Sequence, residues 1–195
     1  MPARWRTALQ AWPVALQVLV LTTVADLGFY AAHRAMHRLP VLWRFHAIHH
    51  SSPALDWLAA YRVHPVDQII VKGVSLLPVC FLGFSTEAIL IAAGIYQVQS
   101  LLLHSNIRLP LGPFQRLVAG PVFHHWHHAA DLEARDKNFA GQLPLWDALF
   151  GTLHLPGGFP MRYGIDEPVP ASWLGQLRHG FRPAAAAAAR DPRPV

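Results

Sequence analysis

The chain has 195 residues, of which 53% are apolar and only 14% are charged, and its formal net charge is +5. Soluble proteins usually carry about 25% charged residues, so this composition argues against an ordinary soluble domain and favours a membrane protein. No Lys/Arg-rich run with interleaved aromatic residues is present, which argues against nucleic-acid binding. The single cysteine, Cys80, excludes an internal disulfide and argues against a thiolate metal site.

Three apolar stretches are candidates for membrane spans, over approximately residues 14–32, 66–82 and 86–103. A spanning helix needs about 20 residues, with about 17–25 tolerated, so the first and third stretches qualify and the second is short. The turn signal at 82–85 predicts that the second and third form a helical hairpin, which either crosses the bilayer or dips into one leaflet. We predict an all-α, integral-membrane helical bundle with about three apolar helices.

One domain is the expectation at this length. We predict a single membrane-embedded domain over residues 1–182 and a low-complexity tail over 183–195, where an alanine run precedes Pro and Arg residues.

The first apolar stretch follows Arg4 and Arg6, and a basic segment before an apolar run is also typical of a signal peptide. We interpret it as a retained anchor because polar residues interrupt it and no convincing small-residue cleavage site follows.

Most of the 13 histidines fall into three tight clusters: HRAMH at 33–37, HAIHH at 46–50 and HHWHH at 124–128. Residues three or four apart share one face of an α-helix, so each cluster aims two or three imidazoles at one point. A single histidine on an apolar face is usually a packing residue, but three such clusters are typical of a metal site. Neutral imidazole is a common ligand for iron, zinc and copper.

The predicted topology gathers these clusters at one membrane face. The first apolar stretch ends at the first cluster, and the second cluster follows it directly. The hairpin then returns the chain to the same side at His104, and the third cluster follows without another span. We expect the clusters to form a histidine-rich helical cap. Arginine residues are more numerous at this face, so the positive-inside rule predicts that the cap is cytoplasmic.

The number of imidazoles predicts two metal ions, because a transition metal takes four to six ligands and a catalytic one keeps an open position. The clusters contain almost no carboxylates, unlike soluble di-iron proteins. Such a nitrogen-rich site suits oxygen activation and attack on a C–H bond. Asp26 shares a helical stripe with His33 and His37, so we expect it to accept a hydrogen bond from a ligand imidazole or a neighbouring helix. A structural interhelical hydrogen bond is the alternative.

Several motifs together resemble the sterol desaturase / fatty acid hydroxylase superfamily of membrane di-iron oxygenases. The longest runs from Asp26 to Ser51 and reads D-x6-HRxxH followed by WRFHxxHHS. The resemblance covers roughly residues 20–170 in order. The other matching segments are RVHP at 62–65, HSN at 104–106, the final HxxHH, and the runs at 138–141, 145–152 and 163–170.

The resemblance implies an enzyme that uses two iron ions, O2 and external electrons to hydroxylate or desaturate a C–H bond of a lipid, such as a sterol or fatty acyl chain. Some relatives carry a further histidine where this chain has Ser100, so His64 is either a ligand or a supporting group. Asn106, Asn138 and Asp147 match family positions and are expected to orient imidazoles or bound water, with capping or turn chemistry as the alternative. The implied ligands are His33, His37, His46, His49, His50, His104, His124, His127 and His128.

The chain has no Gly-rich nucleotide fingerprint and no cysteine pair, so we expect electrons from a separate ferredoxin- or cytochrome-type protein. Because the run at 163–170 resembles the closing segment common in bacterial members, we expect the bacterial inner membrane, with the metals on its cytoplasmic face. The main alternative is a membrane metal-binding or transport protein without oxygenase activity. A transporter would need polar groups along several spans, and a haem protein would need only one histidine on each side of the haem, so both are disfavoured.

Overall fold

The computed structural model describes residues 3–109 and 111–182, and the predicted tail lies outside them. The described part is helical, with one isolated β-bridge between Ala129 and Tyr163. Three short 3₁₀ turns lie at Trp57–Tyr61, Gly112–Arg116 and Leu132–Ala134. The α-helices are α1 (Ala3–Gln10), α2 (Val14–Arg38), α3 (Pro40–His50), α4 (Pro65–Leu82), α5 (Thr86–His104), α6 (Pro121–His127), α7 (Leu145–Leu149) and α8 (Trp173–His179).

Among the described residues, helices α2, α4 and α5 are long and apolar enough to cross a membrane, which confirms the predicted number of apolar helices. Helix α2 has 25 residues and continues beyond the predicted stretch through the first histidine cluster. The predicted hairpin of α4 and α5 is also present. Helix α4 ends at Gly83, which has a left-handed φ of 77°, and Ser85 caps α5 by accepting a hydrogen bond from the Ala88 amide.

Helix α2 lies against both arms of the hairpin, and its contact with α4 is close. A Cβ atom added at Gly28 would lie 2.8 Å from the Val74 carbonyl oxygen, so only glycine allows this separation. Beside it, the Ser75 hydroxyl donates to the Ala25 carbonyl at 2.7 Å. Small residues and interhelical hydroxyl bonds are how helices associate in a bilayer.

The outward faces of the three long helices are apolar and exposed. Leu19 on α2, Ile69 on α4 and Val98 on α5 each leave more than 60% of their surface uncovered. Exposed apolar surface of this extent is unfavourable in water but is the normal contact with lipid chains. These faces surround the bundle, so they are consistent with a membrane-embedded position.

The remaining elements form a cap over one end of the bundle. The chain turns at Leu39, which is extended, and Pro40 starts α3. The underside of the cap is a core cluster in which Tyr30 of α2 packs with Phe123 of α6 and Phe139 of the following loop. Because α6 and α7 have only seven and five residues, much of the predicted helical cap is loop. The histidine clusters lie between this cap and the bundle.

Candidate metal centre

Nine buried histidines form two adjacent groups, and within each group the nearest ring nitrogens lie within 4.8 Å of one another. These nine are the residues that the family resemblance implied as ligands. The first group, called the five-histidine group, contains His33, His37, His46, His50 and His127. The second, called the four-histidine group, contains His49, His104, His124 and His128.

The HxxHH clusters divide between the two groups, contrary to the expectation that each aims three imidazoles at one point. His46 and His50, one helical turn apart on α3, belong to the five-histidine group, whereas His49 belongs to the other. In the third cluster, His124 and His128 stay together and His127 joins the five-histidine group. Each HxxHH cluster contributes to both groups, whereas both histidines of the first cluster belong to the five-histidine group, so the two groups are close neighbours.

The protonation pattern of the five-histidine group leaves lone pairs facing one another. The Nδ1 atom of His33 lies 2.7 Å from the Phe139 carbonyl oxygen, and that of His46 lies 2.6 Å from an Asp67 carboxylate oxygen. Since both partners are acceptors, Nδ1 carries the proton and Nε2 carries a lone pair in each ring. The two Nε2 atoms are nevertheless 3.1 Å apart, which is favourable only when a cation lies between them.

The four-histidine group repeats this arrangement. The Nδ1 atom of His104 lies 2.8 Å from the Ser100 carbonyl oxygen, and that of His49 lies 3.3 Å from the Arg62 carbonyl oxygen. Their Nε2 atoms are 3.2 Å apart, and the Nε2 atoms of His124 and His104 are 2.9 Å apart. Two metal–imidazole bonds of about 2.1 Å at a right angle would place their nitrogens about 3 Å apart, so these spacings fit a metal ion.

Buried ring nitrogens without a hydrogen-bond partner support the same fit in the five-histidine group. The Nε2 atoms of His37 and His127 and the Nδ1 atom of His124 have no hydrogen-bond partner among the described residues. A buried polar atom without a partner costs about 1–3 kcal/mol. A metal ion in the five-histidine group would supply a partner for the Nε2 atoms of His37 and His127, whereas His124 faces its neighbours with Nε2 rather than Nδ1.

Burial keeps the rings neutral, as metal ligands must be. Outside the apolar helices, desolvation lowers the pKa of the ligand histidines well below the usual value of 6.5, and repulsion from neighbouring imidazoles lowers it further. These rings therefore present lone pairs at neutral pH. The residues so affected are His49, His50, His124, His127 and His128.

A loop after α6 holds two of the rings through its carbonyl groups. Besides the Phe139 contact with His33, the Lys137 carbonyl oxygen lies 2.8 Å from the Nδ1 atom of His127. Between them, Asn138 has a left-handed φ of 57° and donates to the carbonyls of Phe123 and His154. This backbone conformation directs the carbonyls on either side of Asn138 at imidazoles from two different helices.

Two buried carboxylates hold the same loop in place. Asp147 accepts hydrogen bonds from the amides of Phe139 and Ala140 at 2.7 and 2.8 Å, so its effect on His33 is transmitted through the backbone. Asp26 accepts from three consecutive amides at 141–143, at 2.8–2.9 Å. The hydrogen bond that Asp26 was expected to accept from an imidazole or a neighbouring helix is thus replaced by bonds that it accepts from loop amides. Asn106 is exposed and lies outside this buried framework.

Two carboxylates beside the rings were not predicted as site residues. Asp67, near the start of the second apolar stretch, is buried next to His46. Asp136 lies 3.4 Å from the Nδ1 atom of His37. The spacing His64-Pro-Val-Asp67 at a helix start is the available signal for Asp67, because it places a carboxylate in the first turn. No comparable signal marks Asp136.

His64 and His125 belong to neither group. The Nδ1 atom of His64 caps α4 by accepting from the Val66 amide, and its Nε2 atom donates to the Leu177 carbonyl oxygen. The ring nitrogens of His125 lie 2.7 Å from the Tyr163 hydroxyl and 3.0 Å from the Ser105 carbonyl oxygen. Both histidines are buried and hydrogen-bonded within the protein, which leaves them apart from the nine.

The fatty acid hydroxylase family model matches residues 18–152. The chain is 33% identical over 171 residues to an ornithine lipid hydroxylase, OlsE, of Rhizobium tropici, covering 87% of this chain and 52% of the relative. It is 31% and 29% identical to the alkylglycerol monooxygenases of Danio rerio and Homo sapiens, covering 74% of this chain and 32% of each relative. The chain thus spans about half of the first relative and a third of the others.

No solved structure gives a significant match. The family match includes the first two histidine clusters, His104 and the third cluster, together with Asp26, Asn138 and Asp147. It therefore covers both histidine groups and the loop that supports them. The chain belongs to the fatty acid hydroxylase family, within the superfamily that its motifs resemble.

Proposed function

We propose that this chain is a membrane-bound di-iron oxygenase that hydroxylates a C–H bond of a lipid. The observation that carries the proposal is the pair of adjacent, buried groups of nitrogen donors, whose lone pairs face one another at about 3 Å spacing. Family membership and the lipid-modifying relatives support a lipid hydroxylase. We propose further that the cofactor is iron and that the co-substrate is O2.

The nine histidines are proposed as the ligands, five for one iron and four for the other. Bound iron would supply the activation of molecular oxygen and the oxidation of the substrate C–H bond. The chain's own residues hold the rings neutral, fix each tautomer and exclude bulk water. Asn138 and Asp147 act through the loop carbonyls, and Asp26 anchors the same loop to α2.

The overall reaction consumes one O2, two electrons and two protons for each C–H converted to C–OH, and it releases one water. The sequence has no nucleotide fingerprint and one cysteine, so the electrons are proposed to come from a separate ferredoxin- or cytochrome-type protein. Hydroxylation is preferred to desaturation because the three relatives described above are named as a hydroxylase and monooxygenases.

The substrate is proposed to enter from the bilayer. The exposed apolar faces of α2, α4 and α5 lie in contact with lipid, and both histidine groups lie where these helices meet the cap. We place the cap on the cytoplasmic face of a bacterial inner membrane, because the arginines concentrate at that end. The bacterial relative is consistent with this location.

The test combines metal content with lipid analysis. Membranes from cells expressing the wild-type chain should contain a lipid that has gained one oxygen, and the purified protein should contain two irons per chain. His127→Ala removes one proposed ligand and should abolish the product and lower the metal content. The matched control is His154→Gln, which replaces a half-buried histidine that belongs to neither group.

Three outcomes would count against the proposal. A product that has lost two hydrogens would indicate desaturation. Metal binding with no lipid change in the presence of O2 and a competent electron donor would favour the metal-binding or transport alternative. Full turnover by His127→Ala would show that the third cluster is not part of the site.

A further inference from the structure

The two histidine groups differ in the charge of the residues that support them. We infer that the two metal positions are unequal, and that the five-histidine group binds its metal more tightly because Asp67 and Asp136 supply negative charge to it. The inference rests on the proposed function, since it assumes that both groups bind metal. It concerns residues that the sequence did not identify.

Asp67 forms the strongest of these contacts. One of its carboxylate oxygens lies 2.6 Å from the Nδ1 atom of His46, and both side chains are only 4% exposed. Asp67 lies in the first turn of α4, after Pro65, where the unpaired amides of a helix N-terminus stabilise an anion. A carboxylate that accepts the far N–H of a ligand imidazole fixes the ring and makes its other nitrogen a stronger donor to the metal.

Asp136 provides a second carboxylate to the same group. Its Oδ1 atom lies 3.4 Å from the Nδ1 atom of His37, and its Oδ2 atom lies 3.8 Å from the Arg38 guanidinium. Its side chain is 16% exposed, so solvent screens its charge more than that of Asp67. The smaller contribution is therefore expected from Asp136.

Among the described residues, the partners of the four-histidine group are carbonyl groups rather than carboxylates. The Nδ1 atoms of His49 and His104 face the carbonyl oxygens of Arg62 and Ser100, and that of His124 has no partner among the described residues. This group also offers one fewer ring. A divalent ion there is less compensated in charge and keeps more open coordination positions, so it is the weaker site and the one more accessible to an added ligand such as azide.

The experiment is a metal titration of the full chain, purified in detergent, stripped of metal and kept free of O2. Co(II) is the probe because its visible spectrum reports coordination, and competition with a chelator gives the two affinities. The wild-type chain should bind two equivalents in two phases. His124→Ala should remove the weaker phase, which assigns it to the four-histidine group.

Asp67→Asn keeps the size of the side chain but removes its charge, so it should weaken the tighter phase by about 10–100-fold and leave the weaker phase unchanged. The matched control is Glu87→Gln, which removes an exposed charge from the first turn of α5 at the opposite end of the hairpin from Asp67. That variant should bind as the wild type does. If Asp67→Asn does not purify as a folded protein, Asp136→Asn tests the inference instead. That variant should show a smaller loss of metal affinity, confined to the tighter phase.

The outcomes separate this inference from the proposed function. A wild-type chain that binds no metal would refute the proposed function. Two equivalents with equal affinity, or an Asp67→Asn variant that retains the tighter phase or weakens both phases equally, would overturn the inequality while leaving the di-metal site standing.

Discussion

The contribution of Asp147 to the metal centre can be tested without touching a ligand. Its carboxylate is buried and accepts three hydrogen bonds, from the Phe139 and Ala140 amides and from the Thr152 hydroxyl at 2.6 Å. Burial raises the pKa of Asp147, while these hydrogen bonds act in the opposite direction. Because Phe139 also holds His33 through its carbonyl, a change at Asp147 should reach the metal.

Asp147→Asn preserves the shape but replaces one acceptor oxygen by an NH2 group. If the remaining carbonyl keeps the Phe139 and Thr152 bonds, the NH2 group meets the Ala140 amide, donor against donor. One hydrogen bond to a charged group is lost, and one buried N–H has no partner. The lost hydrogen bond costs about 1.5–3 kcal/mol, and the N–H without a partner costs about 1–3 kcal/mol. Because the two effects overlap, we expect the free energy of unfolding to fall by about 2–4 kcal/mol in total.

The assay is thermal unfolding of the purified chain in detergent, together with metal content after dialysis against a weak chelator. Asp147→Asn should unfold at a lower temperature and retain less metal than the wild type. Asp166→Asn, a change at an exposed carboxylate, is the control and should behave as the wild type. An Asp147→Asn variant with wild-type unfolding and full metal retention would refute the proposed link from Asp147 through the loop to His33.

Three further predictions concern packing, metal content and pH. Gly28→Val should destabilise the contact of α2 with α4 by about 1–3 kcal/mol, because its Cβ would meet the Val74 carbonyl. The control, Gly94→Val, should cost less, since an added Cβ there meets nothing within 4 Å. Comparable thermal unfolding of the two variants would contradict this packing. His64→Asn keeps a side-chain acceptor that can cap α4, so the variant should still bind two metal ions per chain, measured by elemental analysis. Loss of one metal ion would show that His64 is a ligand. The third prediction concerns pH. The pKa of the buried histidines in the folded state lies below the unfolded-state value of 6.5. The stability associated with burying them as neutral rings is therefore present above pH 6.5 and is lost as the pH falls below it. The metal-free chain should therefore lose stability as pH falls below about 6.5, by at least about 1.4 kcal/mol per pH unit, and a flat profile down to pH 5 would contradict their burial as neutral rings.

The parts of the fold that follow local rules were predictable from the sequence. Long apolar runs fix the number of candidate spans, and the Gly83–Ser85 turn defines the hairpin because glycine ends one helix and serine caps the next. The convergence of the histidine clusters followed from counting spans. The extension of α2 through His37 agrees with the helical stripe expected for Asp26, His33 and His37, although the run loses its apolar character before the helix ends.

The division of the nine histidines into two groups was not predictable from spacing alone. Residues three and four apart lie on neighbouring parts of one helical face. The HxxHH spacing therefore does not specify that His49 joins a different histidine group from His46 and His50. The supporting residues depend on contacts between distant segments, such as Asp26 with the amides at 141–143. The position of Asp67 beside His46 likewise depends on how α3 packs on α4.

The most direct test of the central claim is X-ray absorption of the wild-type chain loaded with iron under anaerobic conditions, with iron quantified per chain. The account predicts two irons, each surrounded mainly by imidazole nitrogens at about 2.1 Å, with an average of between four and five nitrogen ligands. One iron per chain, or a first shell dominated by carboxylate oxygens, would contradict it.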